Sequence, residues 1–503
     1  MSAERRVVVV VGGGLAGIAA ALDCADAGAS VTLVEVRRRL GGAAYSFERD
    51  GLRMDNGQHV FLRCCVAYRA LLARLGSERL TAVQPRLDIP VLKPGRPPAR
   101  LRRGSLPAPL HLAGALARYP YLTRAERMSA VRAAIGLMRL HPDDPALDAV
   151  TFGEWLAGHG QDCASVAALW DLIALPTLNL PAAQASLALA AFVFRTGLLS
   201  AHDAGDIGFH QATLSETIGE PALRALRHAG VRVRLGWRAE GLAAGGDGIE
   251  VQGRGARDAG VEREGAGGEL PHGAGRAFDE LSAEAVVVAL PHARAARLLE
   301  PSLGEPARAL RALGVSPIVN LHVLYDRTVC EWAFAAGVDT PVQYVFDRTR
   351  AAGAPAGCQY LAVSLSGAER EMRMSVDELR ERYLPALREL FPRARAARVE
   401  SFLVTREHAA TFRGAPGVNA LRVGPRTSVP GLVLAGAWTA TGWPATLEGA
   451  VLSGHAAADA ALTALGMGEG GSARRDPRPR LAGRPTPASG AAVARASAGA
   501  PAR

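Results

Sequence analysis

The first forty residues alternate between short apolar runs and polar turns. Residues 7–11 are five consecutive valines, a run too short and too β-branched for a helix, which predicts a fully buried parallel strand. A glycine turn follows, and an apolar helix face then comes from Leu15, Ile18, Leu22 and Ala25. Gly28 is placed to end that helix, and residues 31–34 form a second buried strand. The pattern predicts a compact βαβ unit.

Apolar runs later in the chain predict further strands and a helical region. Short runs that return to a sheet lie at 231–235, 249–252, 285–290 and 431–435. Alternating runs typical of a second sheet lie at 317–325, 342–346 and 359–365. Residues 91–210 are helix-rich and include the amphipathic stretch 125–140, and a further helix is predicted at 377–391. Residues 253–280 are rich in Gly, Arg and Glu and predict an exposed loop insertion.

The turn between the first strand and the first helix carries chemistry. It holds a G-x-G-x-x-G motif made of Gly12, Gly14 and Gly17. These glycines permit a tight turn, close approach of the backbone to a pyrophosphate and close helix–strand packing. The helix that begins at Leu15 and Ala16 turns its free N–H groups toward the phosphates, and Glu35 is positioned to accept hydrogen bonds from a ribose. The unit is therefore predicted to bind a dinucleotide.

Two further segments favour FAD over NAD. Arg39 and the paired glycines Gly41 and Gly42 follow Glu35, a pattern of FAD enzymes whose next segment runs along the cofactor, although an incidental turn is the alternative. Near the other end, a buried strand leads through a glycine-rich loop into a helix, with candidate contacts at Gly436, Trp438, Thr446, Leu447 and Glu448. The start of that helix can place N–H groups against the pyrimidine side of a reduced flavin. Without this context the segment would be an ordinary packing element.

The elements together predict an α/β fold with two discontinuous domains, which suits a length of 503 residues. A Rossmann-like dinucleotide-binding domain is drawn from residues 1–90, 215–305 and 420–465. An α+β substrate domain is drawn from residues 91–214 and 306–419. The tail 466–503, dense in Arg, Pro, Gly and Ala, is predicted to be disordered.

Both ends of the chain resemble the flavin amine oxidase and phytoene desaturase superfamily, with its GR2-type FAD domain. Within it, the chain is most similar to the squalene-associated desaturases, the hydroxysqualene dehydroxylases. The resemblance spans about residues 5–465. It is carried by Asp55-Asn-Gly57-Gln58-His59-Val-Phe61, Cys64-Cys65-x-Ala67-Tyr68-Arg69, Trp170-x-x-x-x-Leu175-Pro-Thr-Leu178-Asn179, Thr439-x-Thr441-Gly-Trp443-Pro-Ala-Thr and Glu448-Gly-Ala-Val-x-Ser-Gly.

The resemblance implies an FAD-dependent oxidoreductase that reductively removes the allylic hydroxyl of hydroxysqualene to give squalene. Such a reaction needs a hydride from reduced flavin and a proton donor for the departing hydroxide. By resemblance, Asp55, Gln58 and His59 fall on the loop that passes the flavin, near Gly57, and His59 is the preferred acid. The alternative is that His59 and Gln58 hydrogen-bond the flavin or the loop, and that Asp55 anchors the loop. His210 is a further candidate for the pocket wall.

Two positions depart from the family pattern. Ala43 stands where an arginine often follows the paired glycines, and Ala437 stands where an acidic residue usually follows Gly436. Both positions normally help to hold FAD, so their loss bears on cofactor affinity more than on the fold. It is also the one argument for a non-catalytic flavoprotein scaffold.

Two catalytic functions of the same superfamily compete with dehydroxylation. A carotenoid-type desaturase would transfer the hydride in the opposite direction, from substrate to flavin, and the sequence leaves that direction open. An amine oxidase would be expected to have a lysine or an aromatic cage in its pocket. Lysine is nearly absent from the chain, with Lys93 as the clear case, which weakens the amine oxidase hypothesis.

Charge and composition bear on partners and location. The net charge is +10, part of it in the arginine-rich tail, and no basic helix with interleaved aromatics indicates nucleic-acid binding. The cysteines lack metal-ligand spacing, so no metal site is expected, and we interpret them as buried free thiols of a cytoplasmic protein. Gly12–Gly14 and Asp23 argue against a signal peptide, and no apolar run reaches the ~20 residues of a membrane span.

A C30 substrate is insoluble in water, so the resemblance further implies peripheral contact with a membrane surface. The stretch 106–140, where Leu, Tyr and Arg are interleaved, is a candidate for an interfacial amphipathic helix, with ordinary helical packing as the alternative. An upstream enzyme of the squalene pathway is a further candidate partner.

Overall fold

A computed structural model of the chain describes residues 6–245, 248–255 and 277–467. Its strands are β1 (Val7–Val11), β2 (Ser30–Glu35), β3 (Ser46–Arg49), β4 (Leu52–Asp55), β5 (Phe61–Leu62), β6 (Thr81–Val83), β7 (Asp88–Leu92), β8 (Ala99–Arg102), β9 (Ile207–His210), β10 (Arg232–Leu235), β11 (Arg238–Gly245), β12 (Gly248–Gly255), β13 (Ala277–Ala283), β14 (Ala285–Val288), β15 (Ser316–Tyr325), β16 (Phe334–Gly337), β17 (Tyr344–Asp347), β18 (Gln359–Ser366), β19 (Val399–Thr411) and β20 (Leu432–Leu434). Its α-helices are α1 (Leu15–Asp26), α2 (Val66–Arg74), α3 (Ala113–Arg118), α4 (Arg124–Arg139), α5 (Pro145–Asp148), α6 (Phe152–Gly158), α7 (Cys163–Ser165), α8 (Asp171–Leu178), α9 (Leu187–Phe194), α10 (Glu220–His228), α11 (His292–Leu303), α12 (Glu305–Ala309), α13 (Thr349–Ala352), α14 (Val376–Leu390), α15 (Val418–Leu421) and α16 (Leu447–Ala464).

The valine run forms the central strand of a five-stranded parallel sheet with the order β10-β2-β1-β14-β20. Val8 to Val11 are at most 2% exposed, because β1 is paired on both edges and covered on both faces. The five strands come from four separate stretches of the chain, and the predicted runs at 231–235, 285–290 and 431–435 supply β10, β14 and β20. The predicted α/β class is confirmed.

A second sheet contains seven strands in the order β19-β15-β18-β17-β16-β7-β8. Its pairs are antiparallel except β16 with β7, and the predicted runs 317–325, 342–346 and 359–365 correspond to β15, β17 and β18. The predicted helix 377–391 is α14. Because β7 begins at Asp88, the predicted boundary between residues 90 and 91 cuts a strand of this sheet. The remaining domain limits stay a prediction.

The helical region predicted at 91–210 contains a cluster of aromatic rings between its helices, and Asn179 joins it to the second sheet. Phe152 of α6, Trp170 and Phe194 of α9 meet with ring centroids 5.2–5.8 Å apart. Asn179 ends α8 in the left-handed region, at φ 55°, and its side chain donates to the carbonyl of Ser316 and accepts from the N–H of Gly367. The motif from Trp170 to Asn179 therefore ties the helices to the sheet.

The prediction of a loop at 253–280 was wrong at both of its ends. Residues 253–255 belong to β12 and residues 277–280 to β13, and these strands pair in a three-stranded antiparallel sheet with β11. Glycine is typical of loops, but a Cβ at Gly253 or Gly255 would overlap the ring of Trp237, which is buried against the strand. These glycines serve packing, and only residues 256–276 of the predicted loop lie outside the described residues.

Other sequence-based expectations have mixed outcomes. Cys24, Cys65 and Cys330 are buried as expected, whereas Cys64 and Cys358 are only half-buried and Cys163 is exposed because it opens the short helix α7 at the surface. Residues 468–503 of the predicted disordered tail lie outside the described residues. Within the described ranges, no helix combines the length and hydropathy that a membrane crossing requires.

The two ends of the chain pack directly against each other as α1 and α16. A Cβ at Gly454 of α16 would overlap the carbonyl of Ala16 in α1, so the two backbones meet with no side chain between them. At the rim of this contact the ring of His455 hydrogen-bonds the carboxylate of Asp23, which also pairs with Arg74 of α2. The helices that flank the parallel sheet are thus joined by both close packing and charge.

The contact between His455 and Asp23 predicts a pH-dependent stability. Burial lowers the pKa of His455, but the hydrogen bond and charge of Asp23 outweigh it, so the pKa is raised. A raised folded-state pKa gives stability that is complete below the unfolded value and is lost as pH rises through the folded value. We expect the free energy of unfolding of the wild type, obtained from melting curves, to fall by about 0.5 kcal/mol as pH rises above about 6.5, an amount usual for partly exposed pairs. His455→Gln should lack this dependence, and an equal pH dependence in both proteins contradicts the assignment.

Candidate functional site

The turn from β1 into α1 leaves the amino end of the helix open. Gly14 is the N-cap residue and makes no side-chain cap, and the first turn, which begins at Leu15 and Ala16, holds no acidic residue. A Cβ at Gly17 would overlap the carbonyl of Gly12, so the helix begins in close contact with the strand. The exposed N–H groups and the helix dipole make this end suited to an anion such as a pyrophosphate.

The segment after β2 folds back onto this turn. Gly41 donates its N–H to the carbonyl of Gly13 over 2.9 Å, and a Cβ at Gly42 would stand 2.8 Å from the Cα of Gly14. The Glu35 carboxylate is buried beside them and accepts the N–H groups of Gly13 (2.7 Å) and Arg37 (2.9 Å). The carboxylate is thereby fixed next to the glycine turn, where a ribose hydroxyl would lie.

Arg39 places a positive charge at the same turn. Its guanidinium lies 3.6 Å from the ring centroid of Tyr45, and Nη1 donates to the carbonyl of Gly42 over 3.3 Å. The buried Nη2 has no partner among the described residues. Burial and the neighbouring Arg37 lower the pKa of Arg39, which still leaves a cation. A buried cationic donor a few residues from Ala43 fits an anionic cofactor.

At the other end of the chain, β20 leads into a loop that Arg422 holds in place. The guanidinium of Arg422 is 7% exposed and donates to the carbonyls of Ala437, Trp438, Thr439 and Trp443. Burial lowers its pKa to about 10, against the opposing charge of Asp148. Arg422 was not predicted from the sequence, because nothing in its local sequence indicates that it is buried.

The predicted residues of this loop are arranged around the start of α16. The N–H of Gly436 donates to Ser453 Oγ over 2.8 Å, and Trp438 Nε1 donates to the carbonyl of Leu290. Thr446 caps the helix by accepting the N–H of Gly449, so Leu447 is the first helical residue. Both tryptophans pack as core residues: Trp438 and Trp443 are buried, and Trp443 lies edge-on to Phe192 with centroids 5.1 Å apart.

Glu448 connects the two ends of the chain. Its carboxylate, 3% exposed, accepts the N–H groups of Ala67 (2.9 Å) and Tyr68 (2.7 Å) in the first turn of α2. Burial raises its pKa, and these backbone hydrogen bonds oppose the rise. Both carboxylate oxygens of Glu448 therefore hold the start of α2.

The loop from Asp55 to His59 lies between the two halves of the site. Asp55 is buried and accepts Ser46 Oγ and the N–H of Leu214 on one oxygen, and Arg348 Nη2 at 2.8 Å on the other. This pairing makes Asp55 an anchor of the loop rather than an available acid. Arg348, which was also not predicted from the sequence, further binds the carbonyls of residues 210 and 212.

His59 and Gln58 differ in what their side chains can offer. His59 Nδ1 lies 3.1 Å from the carbonyl of Gly57, which can only accept, so Nδ1 carries the proton and Nε2 is an acceptor while the ring is neutral. Burial lowers the pKa of His59, partly opposed by that hydrogen bond and by the charge of Asp55. Gln58 Nε2 is a buried donor with no partner among the described residues.

A cavity of about 560 Å³ brings these residues together with His210. It is lined by Asp55, Gln58, His59, Val60, Ala82, Phe209, His210, Gln211, Leu214, Ala333, Phe346, Asp347, Arg348, Thr349, Arg350, Ala351, Gly353 and Ala354. Burial, with smaller contributions from His59 and Arg348, lowers the pKa of His210 to about 3, so the ring is neutral. Its Nε2 lies 3.1 Å from the Tyr68 hydroxyl, and Nδ1 has no partner in the described part of the chain. The glycine turn and the loop of Arg422 do not line this cavity.

Comparison with known proteins agrees with this geometry. The model of the family described as flavin containing amine oxidoreductase matches residues 15–462. The chain belongs to this family. It is accordingly an FAD-dependent oxidoreductase. The open end of α1 and the side chains of Glu35 and Arg39 have the chemistry that FAD requires: N–H groups and a cation for the pyrophosphate, and a carboxylate for a ribose.

Characterised relatives extend over nearly the whole chain. Hydroxysqualene dehydroxylases of Rhodopseudomonas palustris and Sinorhizobium fredii are 30% and 28% identical to it, over 91% of this chain and 98–99% of theirs. Zeta-carotene desaturase of Arabidopsis thaliana is 25% identical over 90% of this chain and 84% of its own. Among solved structures, cyclohexylamine oxidase from Brevibacterium oxydans covers 92% of this chain and 100% of its own, with a TM-score of 0.66 at 19% identity. This last likeness confirms the fold alone.

The geometry at Arg39 predicts a specific loss of cofactor. Arg39→Met should raise the dissociation constant of FAD about ten-fold or more, because a charge-assisted hydrogen bond contributes about 1.5–3 kcal/mol. The measurement is fluorescence titration of the flavin-free protein. Arg38→Met, which removes an exposed arginine next to it, is the matched control and should bind FAD as the wild type does. Equal affinities for the two variants contradict a role for Arg39.

Proposed function

We propose that the chain reductively removes the allylic hydroxyl of hydroxysqualene to give squalene, a step of squalene and hopanoid biosynthesis. The observation that carries the proposal is the 30% identity with a hydroxysqualene dehydroxylase over 91% of this chain and 99% of that one. Part of the cavity wall supports it, because Phe209, Leu214 and Phe346 offer an apolar surface to a hydrocarbon beside the polar groups of Gln58 and His59. The wall also carries the charged side chains of Asp55, Asp347, Arg348 and Arg350, of which Asp55 and Arg348 pair with each other.

Bound FAD supplies, in its reduced form, the hydride for an allylic carbon. The chain holds the cofactor through Glu35, Arg39 and the amino end of α1, and we propose that Gly57, Gly436, Trp438, Thr446, Leu447 and Glu448 surround it. Phe209 and Phe346 line the cavity and offer aromatic rings for a hydrocarbon to pack against. Gln58 Nε2, a buried donor without a partner among the described residues, is available to bind the substrate hydroxyl.

The departing hydroxide must gain a proton, and His59 remains the preferred donor. A neutral His59 presents Nε2 as an acceptor, so the residue can give a proton only after its ring becomes an imidazolium. Its lowered pKa makes that form scarce at neutral pH. Burial lowers the pKa of His210 to about 3, which supports a binding role for that ring rather than an acidic one.

A desaturase acting on a carotenoid-like polyene is the second candidate. It is supported by the zeta-carotene desaturases, which are 23–25% identical to this chain over about nine-tenths of its length. An amine oxidase has weaker support, since the solved amine oxidases are only 18–19% identical. A non-catalytic scaffold would rest on Ala43 and Ala437 alone.

The leading function also bears on location, because hydroxysqualene is insoluble in water. It supports an enzyme that binds the cytoplasmic surface of a membrane and contacts an upstream enzyme of the pathway.

Anaerobic turnover separates these functions. Purified, FAD-loaded protein should convert hydroxysqualene to squalene when the flavin is reduced and not when it is oxidised, as seen by chromatography of the extracted hydrocarbons. Hydride loss from a polyene to oxidised FAD, with no squalene formed by the reduced enzyme, contradicts dehydroxylation and favours the desaturase. Absence of both reactions in a flavin-loaded protein favours the scaffold.

The protonation of His59 predicts a pH profile. The imidazolium fraction falls as pH rises through a pKa below the usual imidazole value, so kcat/KM should be highest at acidic pH and fall toward neutral pH. His59→Gln should lower kcat/KM by about 10²–10⁴ at acidic pH and remove this limb of the profile. His228→Gln, at an exposed position of α10, should leave the profile unchanged. If kcat/KM of His59→Gln still falls with rising pH as it does in the wild type, another group is the proton donor.

A further inference from the structure

The outer face of α4 is apolar where a surface helix is normally polar. Its large exposed side chains are Met128 (62% exposed), Val131 (37%), Ile135 (44%) and Met138 (37%). Their spacing of three, four and three residues places them on one stripe along the helix. Four large apolar side chains on one solvent-facing stripe form a patch that globular proteins normally avoid unless it binds something.

This stripe is not needed to hold α4 in the fold. The opposite side of the helix is already packed in the core, where Ala130, Ala133 and Leu137 are at most 1% exposed. The helix also begins with a capping box between Thr123 and Glu126. A helix with a complete buried face and a capped start gains nothing for its stability from a second apolar face.

The charge on the outer face has one sign. At 100° per residue, Arg124, Arg132 and Arg139 fall on the same half of the helix as the stripe, and all three are exposed. The acidic residue of α4, Glu126, falls on the other half and accepts the N–H of Thr123. The outer face therefore joins apolar side chains with cations and carries no carboxylate of its own helix.

The segment before α4 also exposes large apolar side chains. Leu106 and Leu110 are 55% and 58% exposed on the approach to α3, and Arg127 of α4 donates to the carbonyls of Leu122 and Ala117. These hydrogen bonds fix the end of α3 against the start of α4. Ordinary helix packing thus accounts for the inner face of α4. It does not explain why the outer face carries exposed apolar side chains.

We propose that the outer face of α4, defined by Met128, Val131, Ile135 and Met138 with Arg124, Arg132 and Arg139, docks on a bilayer that contains anionic lipid. Apolar side chains enter the interface while arginines stay at the level of the headgroups. A second copy of the chain fits less well, because a two-fold contact would set the arginines of one copy against those of the other. The purpose of docking, access to a membrane-dissolved substrate, rests on the proposed function, but the docking itself does not.

Flotation of the full-length, FAD-loaded protein with lipid vesicles tests the proposal. The protein should float with phosphatidylcholine vesicles that contain phosphatidylglycerol, bind pure phosphatidylcholine weakly, and lose binding as salt increases. The paired variant Met128→Gln, Ile135→Gln should lower the partition coefficient about ten-fold. Each of Arg124→Gln, Arg132→Gln and Arg139→Gln should lower it about five-fold.

Val376→Gln is the matched control, because Val376 of α14 is 43% exposed, close to the exposure of Ile135. It should float as the wild type does. Melting curves and bound FAD establish that the variants are folded. As a second measurement, a solvent-sensitive dye on Ile135→Cys, in a Cys163→Ser background, should shift its emission to shorter wavelength with anionic vesicles, whereas the same dye on Val376→Cys should not.

Several outcomes overturn the docking proposal: no flotation of the wild type, or equal flotation of the wild type and the Met128→Gln, Ile135→Gln variant. So does a dimer that this variant abolishes in sedimentation, since the face would then belong to a second copy. Turnover of detergent-dispersed hydroxysqualene should be the same in the variant and the wild type. A protein that binds vesicles without turning over this substrate contradicts the proposed function alone, and one that turns it over without binding vesicles contradicts docking alone.

Discussion

The contact between α1 and α16 is the constraint on which the rest of the flavin site depends. These helices come from opposite ends of the chain and meet backbone to backbone at Ala16 and Gly454. The Glu448 carboxylate extends the contact to α2, whose first turn it caps from the far end of the sequence. The open end of α1, the loop after β20 and the segment that leads to His59 are positioned relative to one another by this one junction.

Local sequence was sufficient for the elements that bury apolar side chains on a simple period. The valine run, the glycine turn and Glu35 were located correctly because each depends on its immediate neighbours. Gly253 and Gly255 led to the wrong prediction of a loop, because glycine is typical of loops and also occurs in strands on which a large ring such as Trp237 packs. Only the three-dimensional fold distinguishes those two uses.

The site residues that the sequence did not predict act over long range. Nothing in the sequence next to Arg422 or Arg348 marks a buried cation, yet both donate to main-chain carbonyls of other segments. A long-range hydrogen bond leaves no periodic pattern, so it is invisible to arguments from spacing. Asp55 and Gln58 lie on one loop, but only the coordinates separate the paired carboxylate from the amide donor that lacks a partner among the described residues.

The order of the parallel sheet has a consequence for biosynthesis. During translation β1, α1 and β2 leave the ribosome first, but β14 must still be inserted beside β1, and β20 and α16 are made hundreds of residues later. Until then the face of α1 that receives α16 has no cover, and the loop held by Arg422 does not exist. FAD can therefore be fully enclosed only after synthesis is nearly complete. Until then the nascent chain exposes an apolar helix face that makes it prone to aggregation.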